Sequence, residues 1–340
     1  MSIKHVLKFV FLSVSVLNWS LFAGSQPTNS IRAAIDIGSG GPKLRVAEVN
    51  LVTNKIEKII HIKKYFVPFV ASLSQSESNA FSPEIMEQGL AAFQDAVAVA
   101  KSFGSCGIVA IATSSFRAAS NGEQFADSLQ KATGVNVHIV DQQLEGELAF
   151  QAARAQIEID PENLVIWDIG SSMQFVGLAE DGSTTVDGSN VGSWFFMNHI
   201  IEDIQGRPSN AFRSPNPLSV YDIDQAEYSA KVLATCVNQL FKDKIAKPST
   251  EVIGVGSVFG NGIAELLTHK NPFTRDELAK IVEALAGKTD DDLGGGDYAC
   301  VEASNAILAL GFMQTLNIQQ MRIVDVNNAD GALVYESFWQ

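Results

Sequence analysis

Positive charge is scarce in this chain. It has 340 residues with 38 Asp and Glu against 24 Lys and Arg, a formal charge of −14, and a sequence pI of about 4.8. That balance argues against a nucleic-acid partner and against adsorption to anionic membranes. It also sets a condition: an anionic substrate would need locally placed cations or a divalent metal. Cysteine is nearly absent as well. Cys106, Cys236 and Cys300 are far apart and match no metal-ligand or Cys-x-x-Cys spacing, so buried free thiols are expected rather than a disulfide framework. Beyond residue 23 no apolar run is long enough to span a bilayer, so no stable membrane insertion of the mature chain is expected.

The one long apolar run is at the start. Lys4 and Lys8 precede Phe9 to Ala23, and Ala23-Gly24-Ser25 places small residues where a signal peptidase cuts. The pattern reads as a secretory signal over residues 1–25, so the protein is expected to be exported, periplasmic or secreted. A membrane anchor is the alternative, but the run is short and Asn18 interrupts it.

Two stretches organise the remainder. Ala33-Ala-Ile-Asp36-Ile-Gly-Ser-Gly-Gly41 is an apolar run holding one aspartate, followed by a glycine turn and an alternating segment in which Leu44 and Val46 oppose Lys43 and Arg45. This pattern is that of a β-hairpin. Such a turn either simply reverses the chain or presents successive amides to a phosphate. The pattern recurs at Leu164-Val-Ile-Trp-Asp168-Ile-Gly170-Ser-Ser172, followed by a strand to Leu178. Two such hairpins, one in each half, suggest two phosphate-binding turns facing one cleft.

Between and after them the elements alternate. Lys55 to Lys64 reads as a solvated, lysine-bearing edge strand, with a polyanion-binding patch as the alternative. Pro83 opens a helix that Gly104 stops, and Gly107 to Ala112 reads as a buried parallel strand. Thr113-Ser-Ser-Phe-Arg117 follows at its carboxyl end, where open α/β sheets place ligands. Arg117 has two readings, a structural ion pair or a ligand-binding group. Ser120 with Glu123, and Thr274 with Glu277, are spaced as capping boxes. Val135 to Val140 is expected as a strand, then a helix over 143–157 with Glu145 and Glu147 near its start. On pattern alone both glutamates merely suit the helix dipole. Trp194, Phe195 and Phe196 are expected as a core anchor, 223–242 as one helix, 252–257 as a strand ending in a glycine turn, Asp290 to Gly296 as a flexible linker, Cys300 to Leu316 as a buried helix and 321–326 as a last strand.

Five blocks in this order, Asp36-Ile-Gly-Ser39, Thr113-Ser-x-x-Arg117, the helix start at Glu145, Asp168-Ile-Gly-Ser171 and Gly254-Val-Gly256, resemble the exopolyphosphatase/guanosine pentaphosphate phosphatase (Ppx/GppA) family. That family belongs with acetate and sugar kinases, heat-shock ATPases and actin. The resemblance covers about 31–337 and implies an α/β fold of two ribonuclease-H-like (actin-like ATPase) domains flanking a central cleft, at 31–160 and 161–338. It implies that Gly38, Ser39, Gly40, Gly41, Gly170, Ser171 and Ser172 hold phosphates together with Arg117, that Asp36 and Asp168 face a Mg2+ or other divalent cation, and that Glu145 activates the attacking water. For Glu145 the resemblance thus overrides the pattern, whereas Glu147 stays structural. Four places depart from the usual family motif, one of them Gln143-Leu144 in place of acidic residues at the entrance to the Glu145 helix. Ser171 and Ser172 stand for glycines, Met173-Gln-Phe175 for a polar and acidic run, and Gly40-Gly41 for Asn-Ser.

The function this implies is phosphoanhydride hydrolysis on polyphosphate or a nucleoside polyphosphate such as pppGpp. An ecto-nucleoside tri/diphosphatase and a catalytically silent phosphate-ligand binder on the same fold are the alternatives. The oligomeric state is left open, a homodimer included.

Overall fold

Each half of the chain begins with a three-stranded antiparallel meander, whose first strand is then joined by a parallel strand from which the sheet grows outward. In the computed structural model, which describes residues 28–339, the first meander is β1 (Asn29–Gly38), β2 (Gly41–Asn50) and β3 (Lys55–Lys64). The leader expected over residues 1–25 lies outside the described residues. β4 (Gly107–Ala112) and β5 (Val137–Ile139) join parallel to β1, giving the order β3-β2-β1-β4-β5. The second meander is β6 (Leu164–Ile169), β7 (Met173–Leu178) and β8 (Thr184–Ser189). β9 (Glu251–Val255), β10 (Phe273–Thr274) and β11 (Gln320–Ile323) extend it to the order β10-β11-β9-β6-β7-β8. The plan is repeated, and the two aspartates occupy matching places in it, near the ends of β1 and β6.

Alternation along these strands decides where the aspartates point. Ile35 and Ile37 enter one core, which contains the Phe69, Phe81, Phe116 and Phe125 rings, while Ala34 faces the opposite side of the sheet. Asp36 shares the face of Ala34. On β6, Trp167 is fully buried among Phe175, Phe259 and Phe312, with ring centroids 4.9–5.6 Å away. Replacing a tryptophan packed this way by alanine costs on the order of 3–5 kcal/mol. The next residue, Asp168, must therefore face the other way.

The helices of the first half are α1 (Phe69–Ser74), α2 (Pro83–Ser102), α3 (Ser114–Ala118) and α4 (Gly122–Thr133). α5 (Gln142–Arg154) leads into the second half and lies between the two sheets. Its Leu148 packs in the first sheet's inner core, and its Phe150, Ala152 and Ala153 pack against β6, β7 and β9. The second half carries α6 (Ser193–His199, continuing as a π-helical turn over Ile200–Ile204), α7 (Val220–Ala234), α8 (Gln239–Ile245), the π-helical segment Val258–Thr268, α9 (Arg275–Glu283) and α10 (Ala299–Thr315). The last helix, α11 (Asn328–Val334), leaves the second sheet and packs on the inner face of the first. It crosses α5 at Gly331, where any Cβ would overlap the Leu148 carbonyl.

A buried ion pair fixes α11 to the first sheet. Arg45 of β2 and Asp330 of α11 are almost inaccessible, with Arg45 Nε 3.3 Å from Asp330 Oδ2. Asp330 also accepts from the Asn327 amide at 2.9 Å, closing a capping box. Burial still raises its pKa to about 6, against the pull of Arg45.

Several expectations are met closely. The lysine-bearing edge strand, the helix from Pro83 with Gly104 beyond it at φ +73°, the Thr274–Glu277 capping box and the buried Ala/Leu helix all form. Others are corrected. No capping box joins Ser120 and Glu123. The helix starts at Gly122 because Asn121 spends its side chain on the Phe81 backbone, and the Ser120 hydroxyl donates to the Ser78 carbonyl. The 223–242 helix is two helices, divided where the Asn238 amide donates to Asp187. Of the aromatic triplet only Phe196 is fully buried, and Phe195 is exposed. The 290–296 segment is no linker: Asp290 accepts from Ser214 and Asn216, and Asp292 from Thr289. Cys106 and Cys236 are exposed and Cys300 is half-buried, all as free thiols. The α11 helix has no counterpart in the expectations.

Removing Asp330 leaves the buried Arg45 only a longer contact, 3.6 Å to the exposed Asp325, so Asp330→Ala should lower unfolding stability by roughly 3–5 kcal/mol at pH 7.5. Asp95, whose pair with Lys63 is exposed on both sides, should cost under about 1 kcal/mol on the same change. Urea denaturation of the two variants is the check, and equal effects would contradict the role given to Arg45.

Candidate phosphate-binding and catalytic site

The two aspartates converge where the sheets meet. Asp36, Lys43, Asp168, Gly256, Asn327 and Asn328 line one narrow cavity of about 40 Å³. Asp36 is buried, and its Oδ1 has no hydrogen-bond partner among the described residues. Lys43 stands directly opposite it in the β1–β2 ladder, with its ammonium 3.7 Å from Asp36 Oδ2. Burial raises the Asp36 pKa, and Lys43 pulls it back only in part. Asp168 is pushed up to about 6, again mainly by burial and further by Asp36, with Lys43 opposing. Gly256, at φ +84°, allows the approach, since a Cβ there would sit 2.7 Å from Asp168 Oδ1. An orphaned carboxylate oxygen, a second carboxylate and two side-chain amides are hard oxygen donors. Among the described residues no cluster of three or more acidic, His or Cys side chains adds to them. Two carboxylates with room for water fit Mg2+, which commonly takes one or two protein carboxylates and completes its shell with water and phosphate oxygens.

The first turn is a two-residue reversal, Ser39-Gly40, closed by Gly38 opposite Gly41. Its carbonyls are already used: Gly40 accepts from the Val67 amide at 3.0 Å and Ser39 from Val70 at 3.2 Å. Among the described residues the Ser39 and Gly40 amides donate to no backbone carbonyl outside the ladder, so they are the groups an anion would meet. Gly41 has φ +119°, and a Cβ on it would overlap the Tyr65 carbonyl.

The second turn differs. The Gly170 amide is spent on the Ser172 carbonyl at 2.8 Å, and Gly170's own carbonyl accepts from Ser193 at 2.8 Å. The Ser171 hydroxyl is hydrogen-bonded to Ser114, which lies just past β4 in the first half. The side chain that replaces the usual glycine therefore ties this turn across the cleft.

Arg117 and Glu145 meet each other. Arg117 Nη1 donates to Glu145 Oε2 at 2.8 Å and to the Val140 carbonyl at 2.7 Å. Asp141 caps α5 through the Leu144 amide and puts Glu145 in its first turn. Glu145 is buried and pushed up to about 7; burial outweighs the opposing pull of Arg117, and Asp168 and Asp36 add to the rise. Glu147 points elsewhere and accepts from Gln143 and Tyr335.

Of the residues singled out from the sequence, Asp36 and Asp168 share the cavity, Arg117 and Glu145 form a pair electrostatically coupled to it, and the two turns flank it. Lys43, Gly256, Asn327, Asn328 and Ser114 were missed as site residues. Lys43 had a signal, because a two-residue turn at Ser39-Gly40 pairs residue 36 with residue 43. The asparagines had none, since they reach the cavity only through the return of the chain at α11.

Comparison with known proteins agrees with this architecture. Residues 49–205 match the family model described as Ppx/GppA phosphatase family. No curated protein sequence matches the chain. Among solved structures, the Ppx/GppA family member of Aquifex aeolicus superposes with a TM-score of 0.70 at 16% identity, over 91% of this chain and 98% of its own. An exopolyphosphatase from Cytophaga hutchinsonii gives 0.66 at 15% identity, over 89% and 96%. The nucleoside triphosphate hydrolases of Neospora caninum give 0.54 at 11% identity, over 92% and 93%. The chain thus carries a Ppx/GppA phosphatase-family segment at 49–205, on the two-domain actin-like fold of that family's solved members.

Proposed function

We propose that this protein is an exported hydrolase of phosphoanhydride bonds, acting on polyphosphate or a nucleoside polyphosphate. The observation that carries the reading is the convergence of Asp36, Asp168, Glu145, Lys43 and Arg117, drawn from both halves of the chain, on one cleft between two glycine turns. The family match and the likeness to an exopolyphosphatase support it, and the apolar leader supports export.

The chemistry follows from the side chains. The Ser39 and Gly40 amides, Lys43 and Arg117 would bind the oxygens of the terminal phosphate and supply the positive charge that the acidic surface lacks. Glu145 would accept a proton from the attacking water as that oxygen bonds to phosphorus. The anhydride P–O bond breaks, releasing inorganic phosphate or leaving it behind on the turn as the shortened chain departs. A divalent cation between Asp36 and Asp168 would neutralise charge on the phosphate oxygens. A phosphate reaching Arg117 would compete with Glu145 for its guanidinium and so free the carboxylate. One observation favours a second reading, a binder without turnover: the second turn is closed on itself by the Gly170–Ser172 bond and tethered by Ser171 to Ser114.

Glu145→Gln keeps the acceptor for Arg117 and removes the base. Hydrolysis of tripolyphosphate with Mg2+ should fall at least about 100-fold, with binding by calorimetry retained and stability changed by no more than about 1 kcal/mol. Glu147→Gln should be nearly silent. Wild-type turnover in the first variant, or damage from the second, would show the base is misplaced, and binding without turnover in the parent protein would select the second reading.

The same carboxylate sets a pH dependence. Glu145 must be ionised to act, and its pKa is raised to about 7, so the active form is lost as pH falls through that value. kcat/KM should drop about tenfold per pH unit below roughly pH 6 and level off above roughly pH 8. A profile already flat at pH 5 would mean that a group with an ordinary carboxylate pKa is the base.

A further inference from the structure

Tyr298 reaches the first turn from the other half of the chain. It stands at the start of α10, yet a Cβ added at Gly40 would overlap its hydroxyl, with the ring carbon Cζ behind at 3.5 Å. The tip of the phenol, not its edge, therefore faces the turn and fills the space a side chain at residue 40 would take. The ring is held edge-on against Phe66, centroids 6.0 Å apart at 88°. Gly294, Gly295 and Gly296, at φ +92°, +65° and +79°, bend the chain into this position through backbone that other residues rarely adopt. Lys43, the cation beside Asp36, is near enough to act on the phenol electrostatically, while burial, the larger influence, keeps it protonated and hence a donor. Tyr298 also lines a cavity of about 450 Å³ together with Glu265, Asp297 and Glu302.

We propose that Tyr298 is a further substrate-positioning residue, closing the first turn from across the cleft and donating its phenol O–H to a phosphoryl oxygen held there. The proposal rests on the hydrolysis reading above. A neutral donor suits this place, because it binds the phosphate on the acidic side of the cleft without adding a charge to be desolvated. Its bond is made equally to substrate and transition state, so its loss weakens binding rather than chemistry.

The test uses tripolyphosphate and Mg2+. Tyr298→Phe keeps the ring on Phe66 and removes only the hydroxyl; KM should rise about tenfold, with kcat within about threefold and the melting temperature unchanged. Gly40→Ala should raise KM further in the parent than in the Tyr298→Phe background, where the overlapping hydroxyl is gone. An unchanged KM in Tyr298→Phe, a fall confined to kcat, or equal Gly40→Ala penalties in both backgrounds would overturn the proposal while leaving the hydrolysis reading in place. A parent protein that turns over no phosphoanhydride would overturn both.

Discussion

Asp36, Asp168 and Glu145 share one water-poor cleft with two cations, Lys43 and Arg117, and this excess of buried negative charge constrains much of the surrounding structure. Each of the three carboxyl pKa values is raised, burial being the main cause and the neighbouring carboxylates adding to it for Asp168 and Glu145. An uncompensated buried charge is costly, so such an arrangement persists only where the scaffold enforces it. Here the scaffold is the pair of strands whose opposite faces are anchored by Ile35, Ile37 and Trp167. The same excess means that, in a protein of net charge −14, an anion would bind here only beside Lys43 and Arg117 and with a cation held by the two aspartates to relieve the carboxylates.

Cross-cleft contacts give that scaffold its closed form. The Arg45–Asp330 pair holds α11 on the first sheet, which puts Asn327 and Asn328 into the cavity. Ser114 and Ser171 join the end of β4 to the second turn. Tyr298 meets the first turn, and Lys64 donates to Asn261 across the mouth at 3.4 Å. These ties differ in strength. The buried ion pair is expensive to break, whereas the Ser114–Ser171 and Lys64–Asn261 contacts are single hydrogen bonds that cost little to exchange. The inner crossing of α5 and α11 is therefore the stiff part of the interface and the turns the adjustable part.

The two turns are not equivalent despite their matching motifs. Among the described residues the Ser39 and Gly40 amides donate to no backbone carbonyl outside the ladder, while their carbonyls accept from Val70 and Val67, whereas the second turn spends the Gly170 amide internally. Its serine side chains add bulk where glycine would leave the backbone open. The first turn is thus the more open of the two, and Lys43 and Tyr298 stand beside it.

The sequence by itself determined the two hairpins, the place of Asp36 and Asp168 within them, the parallel strand before Thr113, and the Thr274–Glu277 cap. These depend on residues within a few positions of one another, where period-two alternation and turn chemistry suffice. It also held the register that puts Lys43 opposite Asp36. Only the tertiary structure decided that Arg117 would meet Glu145, that Ser120 would turn to Ser78 instead of capping with Glu123, that Phe195 would be exposed, and that Asp330, Asn327, Asn328 and Tyr298 would reach the first half. Those outcomes join residues tens to hundreds of positions apart, and their energies come from burial and pairing that no local pattern encodes.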